Sequence, residues 1–181
     1  MDCFNRLIMA IDVNGITLSS SGGTTLAMAN GATNWMNVNA NGVVTLPQTP
    51  YMQAVLSGQG NFYQGNPMVF GAVQANQGSC WNNSTGVWTC PVAGYYLVFM
   101  SGIASGSANG TSSAGYPVIR RNGSTYAFTH WNTASFWDYV NLTSVVSCAA
   151  NDTISFAIES AGTSGLYGQG DHCSFGISLV I

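Results

Sequence analysis

In the last third of the chain, apolar and polar residues alternate with a period of two. Ile154, Phe156 and Ile158 alternate with Ser155, Ala157 and Glu159, and Phe175, Ile177, Leu179 and Ile181 alternate with Gly176, Ser178 and Val180. Side chains of a strand point to its two faces in turn, so each stretch presents one apolar face to a core. The same reading predicts strands at 52–56, 68–73, 87–89, 95–103, 116–120, 125–131, 136–148, 153–159 and 174–181, separated by turns rich in Gly, Asn and Ser. No segment carries the 3.6-residue period of a helix, and the pattern predicts an all-β chain.

One strand breaks the alternation. Over 95–100, Tyr95, Leu97 and Phe99 share one face and Tyr96, Val98 and Met100 the other, and both faces are apolar. A two-layer sandwich buries only one face of each sheet, so the second face calls for a partner. Just before it, Thr85-Gly86-Val87-Trp88-Thr89-Cys90-Pro91-Val92-Ala93-Gly94-Tyr95 reads as two strands joined by a corner, with Pro91 fixing φ and Gly94 relaxing it.

Residues 1–50 have a pattern of their own. Asn14-Gly15, Asn30-Gly31 and Asn41-Gly42 each lie between short apolar runs, which predicts three β-hairpins at irregular spacing. Isolated hairpins with so little apolar surface are unstable in water, and the expected neighbours are the same hairpins in sister chains. Pro47 and Pro50 then interrupt strand pairing. The predicted division is a hairpin arm over 1–50 and a globular head over 51–181.

The string around Trp88 resembles the Thr-Gly-x-Phe-Thr-x-Pro-x-x-Gly-x-Tyr-x-Phe signature of the C1q/TNF-like jelly-roll domain, with Trp88 at the first Phe position. Arg120-Arg121-Asn122-Gly123 is similar to the family's Asn-Gly hairpin. Ala150-Asn151-Asp152-Thr153-Ile154 matches its Gly-Asp-x-Val segment with Asn151 in place of Gly, and Ser174-Phe175-Gly176-Ile177-Ser178-Leu179 matches its closing strand with Phe and Gly adjacent. The resemblance spans about 51–181. It implies an antiparallel C1q/TNF-like jelly-roll sandwich forming a homotrimer, with Tyr96, Val98 and Met100 expected at the threefold axis. The short hairpins resemble the shafts of trimeric viral fibres, and 43–52 is similar to the neck before C1q-like heads in structural proteins of tailed bacteriophages.

Charge narrows the choice of function. Charged residues make up 5% of the 181-residue chain, with three arginines, no lysine and a net charge of −3. A phosphate-binding face needs several cations, so nucleic acid is not an expected partner. Apolar residues reach 46%, yet no apolar run has the length of a membrane-spanning helix, and no membrane insertion is expected. The opening Met1-Asp2-Cys3-Phe4-Asn5-Arg6 and the brief apolar run after it do not read as a signal peptide, which predicts no export by the general secretory route. The six Asn-x-Ser/Thr sequons accordingly read as products of composition.

Cys3, Cys80, Cys90, Cys148 and Cys173 form no C-x-x-C pair. Reduced, mostly buried thiols are one reading; a disulfide between Cys80 and Cys90 across a hairpin turn is the other. Enzyme motifs are missing, and six carboxylates are scattered along the chain, so neither catalysis nor a cofactor is expected. Asp171-His172-Cys173 offers three ligand types in a row, but alternate strand residues point apart, and no metal site is assigned.

Binding is the chemistry the residues favour. His130-Trp131-Asn132 and Phe136-Trp137-Asp138-Tyr139 flank a short connection, and Trp131, Asn132, Trp137 and Tyr139 are the candidate contacts for a surface glycan, aromatic faces beside neutral groups. The resulting expectation is a non-enzymatic trimeric structural protein of a tailed-phage virion, a fibre or fibre tip whose head touches the host surface and whose residues 1–50 attach to other virion proteins. The alternatives are a capsid decoration or head-fibre protein, assembled like the first in the host cytoplasm, and a cellular C1q-like recognition module.

Overall fold

The computed structural model describes residues 11–13, 16–20, 26–30, 33–38, 43–56, 65–105, 113–133, 137–159, 165–166 and 172–180. The chain forms two compact units, Met1–Thr49 and Pro50–Ile181.

In the first unit β1 (Ile11–Val13), β2 (Ile16–Ser20), β3 (Leu26–Asn30), β4 (Thr33–Val38) and β5 (Val44–Thr45) form one antiparallel sheet in sequence order. The Asn14-Gly15 hairpin closes with Val13 opposite Ile16, the two-residue spacing that Asn-Gly turns favour. Within the chain the hairpins are neighbours of one another. Ser20 pairs with Leu26 and Val38 with Val44, so each hairpin edge is continued by the next.

The second unit contains β6 (Tyr51–Val55), β7 (Ala72–Gln77), β8 (Trp81–Asn82), β9 (Val87–Thr89), β10 (Gly94–Ser105), β11 (Ser113–Arg121), β12 (Ser124–Phe128), β13 (Trp131–Thr133), β14 (Trp137–Cys148), β15 (Thr153–Glu159), β16 (Gly165–Leu166) and β17 (Ser174–Val180). One sheet has the order β14-β10-β17-β6-β7, with β16 against β10. The other has the order β12-β11-β15-β9-β8, with β13 against β11. All pairings are antiparallel, and most of them, β14–β10, β10–β17, β17–β6, β11–β15 and β15–β9, join strands distant in sequence, as in a jelly-roll sandwich.

The two inner faces meet over Met52, Phe70, Trp81, Trp88, Tyr96, Val98, Met100, Phe156, Phe175 and Ile177. Phe70 anchors the aromatic centre, its ring 4.4 Å from Phe175 and 5.1 Å from Trp81. The strand expected at 68–73 begins only at Ala72, yet Met68 and Phe70 are buried. Their backbone is paired by other means. Met68 donates its amide to the Phe156 carbonyl at 2.8 Å, while the Asn83 side chain accepts from the Phe70 amide at 3.2 Å and donates to its carbonyl at 2.8 Å. A side-chain amide thus stands in for a strand neighbour, which a hydrophobic pattern does not reveal.

The turns follow the sequence closely. Asn122 and Gly123 both have positive φ, 50° and 78°, the left-handed pair needed by a tight hairpin between β11 and β12. Asn151, which stands where the family pattern has Gly, also turns left-handed at φ 70°, a conformation Asn tolerates because its short amide bonds locally. At the corner, the Tyr96 hydroxyl donates to the Val92 carbonyl at 2.7 Å, tying β10 back to the bend that precedes it.

Candidate functional site

Strand β10 is apolar on both faces, and the structure assigns them. Tyr96, Val98 and Met100 point into the sandwich and are almost wholly buried within one chain. They therefore cannot be the surface between copies, and the expected interface residues are corrected. The outward set is Tyr95, Leu97 and Phe99, with Tyr95 61% and Leu97 39% exposed. Alternation showed that there were two sets; it could not show which one the second sheet would cover, because that depends on how the sheets stack.

Around Tyr95, Leu97 and Phe99 the outward face of the sheet continues. Val145 stands opposite Leu97 on β14, Val180 opposite Tyr95 on β17, and Tyr51 opposite Ser178 on β6. Val145, Val180 and Tyr51 are all exposed. A groove of about 220 Å³ runs across this face, lined by Tyr51, Gln53, Leu97, Phe99 and Ser178 among others. None of these side chains carries a formal charge.

A second apolar feature lies where β12 and β14, the end strands of the two sheets, come together. Tyr126 reaches from β12 to the Val145 carbonyl on β14, its hydroxyl donating at 3.4 Å, and the Arg121 guanidinium sits 5.5 Å from the Tyr126 ring centre. The same edge carries Phe128, 64% exposed.

The four expected glycan contacts are not equivalent. Trp131 is 2% exposed and belongs to the core, packed so tightly on Gly115 that a Cβ there would stand 2.2 Å from the indole. A ring buried on this scale offers no face to a sugar, and Trp131 is withdrawn as a contact. Tyr139 is 79% exposed. The side chains of Asn132 and Trp137 lie outside the described residues.

The structure adds an aromatic cluster that the sequence reading did not single out. Tyr116 lies 6.5 Å from Phe128, edge to face, and 5.1 Å from His130, and all three are exposed. The cluster assembles because β11 and β12 pair with Val118 opposite Phe128, so Phe128 falls diagonally beside Tyr116. The residues are up to fourteen positions apart, and only the register brings them together. Glu159 stands opposite Tyr116 on β15. Its carboxylate accepts from Arg120 at 2.8 Å and from Thr125 at 3.2 Å. The Arg120 bond holds the Glu159 carboxyl below the usual carboxylate range, with Thr125 adding to the effect against a smaller cost of burial.

The cysteines also resolve. The register Trp81↔Trp88 places Cys80 beside Thr89, whose amide donates to the Cys80 carbonyl at 2.8 Å. Cys90 is one residue further and points to the opposite side of the pleat, so the candidate Cys80–Cys90 bridge does not form, and both thiols are free. Cys90 and Cys148 instead lie in the same core, with the Cys90 backbone bonded to Asn151 and Asp152 in the turn that follows Cys148.

Among the described residues no group of three or more His, Cys, Asp or Glu is arranged to hold a metal ion. His172 is exposed while Cys173 is buried. No helix among the described residues is long and apolar enough to cross a membrane.

The C1q domain family model matches residues 52–176, most of the chain. The chain belongs to the C1q-domain family. The C1q-like head is also similar in structure to the globular domain of zebrafish complement 1qA protein, at a TM-score of 0.58 and 14% identity over 74% of this chain and 98% of that one. At that identity the likeness establishes the fold. No curated protein sequence matches the chain. C1q domains are non-enzymatic recognition and structural modules, commonly trimeric.

Proposed function

We propose that this C1q-like protein is a non-enzymatic homotrimer that serves as a structural and host-recognition component of a tailed-phage virion, with the head facing the host and residues 1–50 attaching it to the particle. The observation that carries the trimer is the outward face of β10. Tyr95, Leu97 and Phe99, with Val145, Val180 and Tyr51, form an uncharged apolar surface on a chain that has few charges to keep such a surface soluble. Its occupant is a second copy of the chain. The Tyr126 edge of the same molecule is a different surface of matching chemistry, so edge against face is a heterologous contact, which closes into a ring of three when successive copies are related by a rotation of one third of a turn.

The phage reading is supported by the first unit, a five-stranded antiparallel meander with strands in sequence order. Host contact is assigned to Tyr116, Phe128, His130 and Tyr139, exposed rings suited to the C–H face of a neutral sugar. Asn132 and Trp137 stay within this candidate region by sequence position.

Imaging of particles labelled on this protein tests the assignment. Label at the tail tip and adsorption blocked by purified protein support it. Label on the capsid shell transfers the same trimer to a decoration role, and label confined to a cell surface moves it to a cellular recognition module.

A further inference from the structure

Cys90 follows β9 in one sheet and Cys148 ends β14 in the other, yet both side chains are buried in the core between the sheets. The backbone holds them there. Cys90 donates its amide to the Asp152 carbonyl, and Asn151 donates to the Cys90 carbonyl, each at 2.8 Å. Cys90 is thereby stitched to the turn that follows Cys148. That turn is itself braced, since Asp152 accepts from the Ala149 amide at 2.9 Å and from the Asn122 side chain at 2.8 Å. The other described thiols, Cys80 and Cys173, are elsewhere. The Cys80 thiol donates to the Gly78 carbonyl at 3.3 Å, and Cys173 packs on Gly102, far along β10 from the Gly94 that faces Cys148.

We propose that Cys90 and Cys148 are an oxidisable cross-sheet dithiol that closes to an intramolecular disulfide on meeting a low-molecular-weight disulfide, locking the two layers of the head together. With Cys90 tied through its backbone to the turn that follows Cys148 and both side chains buried in one core, side-chain rotation can bring the two sulfurs toward bonding distance, about 2 Å. In the reaction one protein thiolate attacks the external disulfide and releases one small thiol. The second protein thiol then attacks the mixed disulfide and releases the other. Two protein thiols are oxidised, one external disulfide is reduced, and each thiol proton ends on a departing small thiol.

Burial raises the Cys90 thiol above its ordinary range, and the neighbouring Cys148 raises it further; burial raises Cys148 as well. Thiolate is therefore scarce, and closure is slow in the folded head and faster while the core is open. Once closed, the bond is shielded from reductant by the same burial. A head folded under reducing conditions would gain stability on reaching an oxidising medium. This inference is independent of the role proposed above, because it rests on the sandwich alone.

The test uses the full chain, which has arginine only at positions 6, 120 and 121 and no lysine. Trypsin therefore separates Cys90, on 7–120, from Cys148, on 122–181. The wild type and a Cys80→Ala, Cys173→Ala variant are exposed to glutathione disulfide both as folded protein and during refolding, then alkylated, denatured and digested. The expected result is that the two large fragments become joined in both proteins, that Cys148→Ser abolishes the joining, and that oxidised protein melts about 10 °C higher than the same protein with dithiothreitol. Fragments that stay separate in both exposures, a link lost in the Cys80→Ala, Cys173→Ala variant, or a link that leaves Tm unchanged would each overturn the proposal.

Discussion

The ring of Phe99 covers Gly176 on the neighbouring strand. The two residues are directly opposite in the β10–β17 register, and a Cβ on Gly176 would stand 2.3 Å from the ring. A glycine under an aromatic ring loses no side-chain packing of its own and lets the ring shield the bare backbone. Gly176→Ala is expected to tilt Phe99 off the sheet and cost about 1–3 kcal/mol of stability, the range for forcing extra volume into a packed site. Thermal unfolding measures the loss, and sedimentation at fixed concentration reports whether the displaced ring also weakens the proposed assembly.

The two faces of β10 are expected to separate under mutation. Leu97→Asp places a charge on the outward face, so the chain should remain folded by circular dichroism while the proposed trimer dissociates. Met100→Ala acts on the inward face, where it should destabilise the single chain by about 2–5 kcal/mol without changing the outward surface. If Leu97→Asp left a folded trimer by sedimentation equilibrium, association through this face would be wrong.

Tyr96 gives an alkaline limit. Burial, with Cys90 beside it, pushes its phenol up to about 12, although the bond to Val92 acts the other way. The folded state thus favours the protonated ring more than the unfolded state does. The sign follows: this contribution is complete below the ordinary tyrosine range and is lost as pH rises toward about 12. Tyr96→Phe should remove that dependence while costing about 1 kcal/mol at neutral pH for the lost hydrogen bond. Denaturant midpoints of both proteins across the alkaline range check this.

Glu159 gives the opposite sign. Its carboxyl is depressed in the folded state by the Arg120 bond. Its contribution is present above the ordinary carboxylate range and falls away as pH drops through the folded-state value. The pair is partly solvated, so the effect is small. Glu159→Gln should flatten the acid limb of the stability profile, read as the change in thermal midpoint between neutral and mildly acidic buffer.

The proposed recognition role of the Tyr116 cluster predicts a further outcome. Phe128→Ala and Tyr116→Ala should each reduce binding to host cells by roughly five- to hundredfold, taking about 1–3 kcal/mol for a ligand face stacked on an aromatic side chain. Phe128 is largely exposed, so its loss should leave the melting temperature nearly unchanged.

Local rules carried much of this protein into view from its residues alone. Period-two alternation located β15 and β17, Asn122-Gly123 located a hairpin, and the Trp88 to Tyr95 string located the corner and the family. These features depend on neighbours in the chain, and the chain displays them. Tertiary structure decided what depends on distant partners. It chose the inward face of β10, sent Trp131 into the core against Gly115, gathered Tyr116, Phe128 and His130 through strand register, and brought Cys90 to Cys148 instead of Cys80. The reason is physical: a strand with two apolar faces is satisfied equally by either orientation until a second sheet covers one of them, and the pairing of the sheets is not written in any single segment.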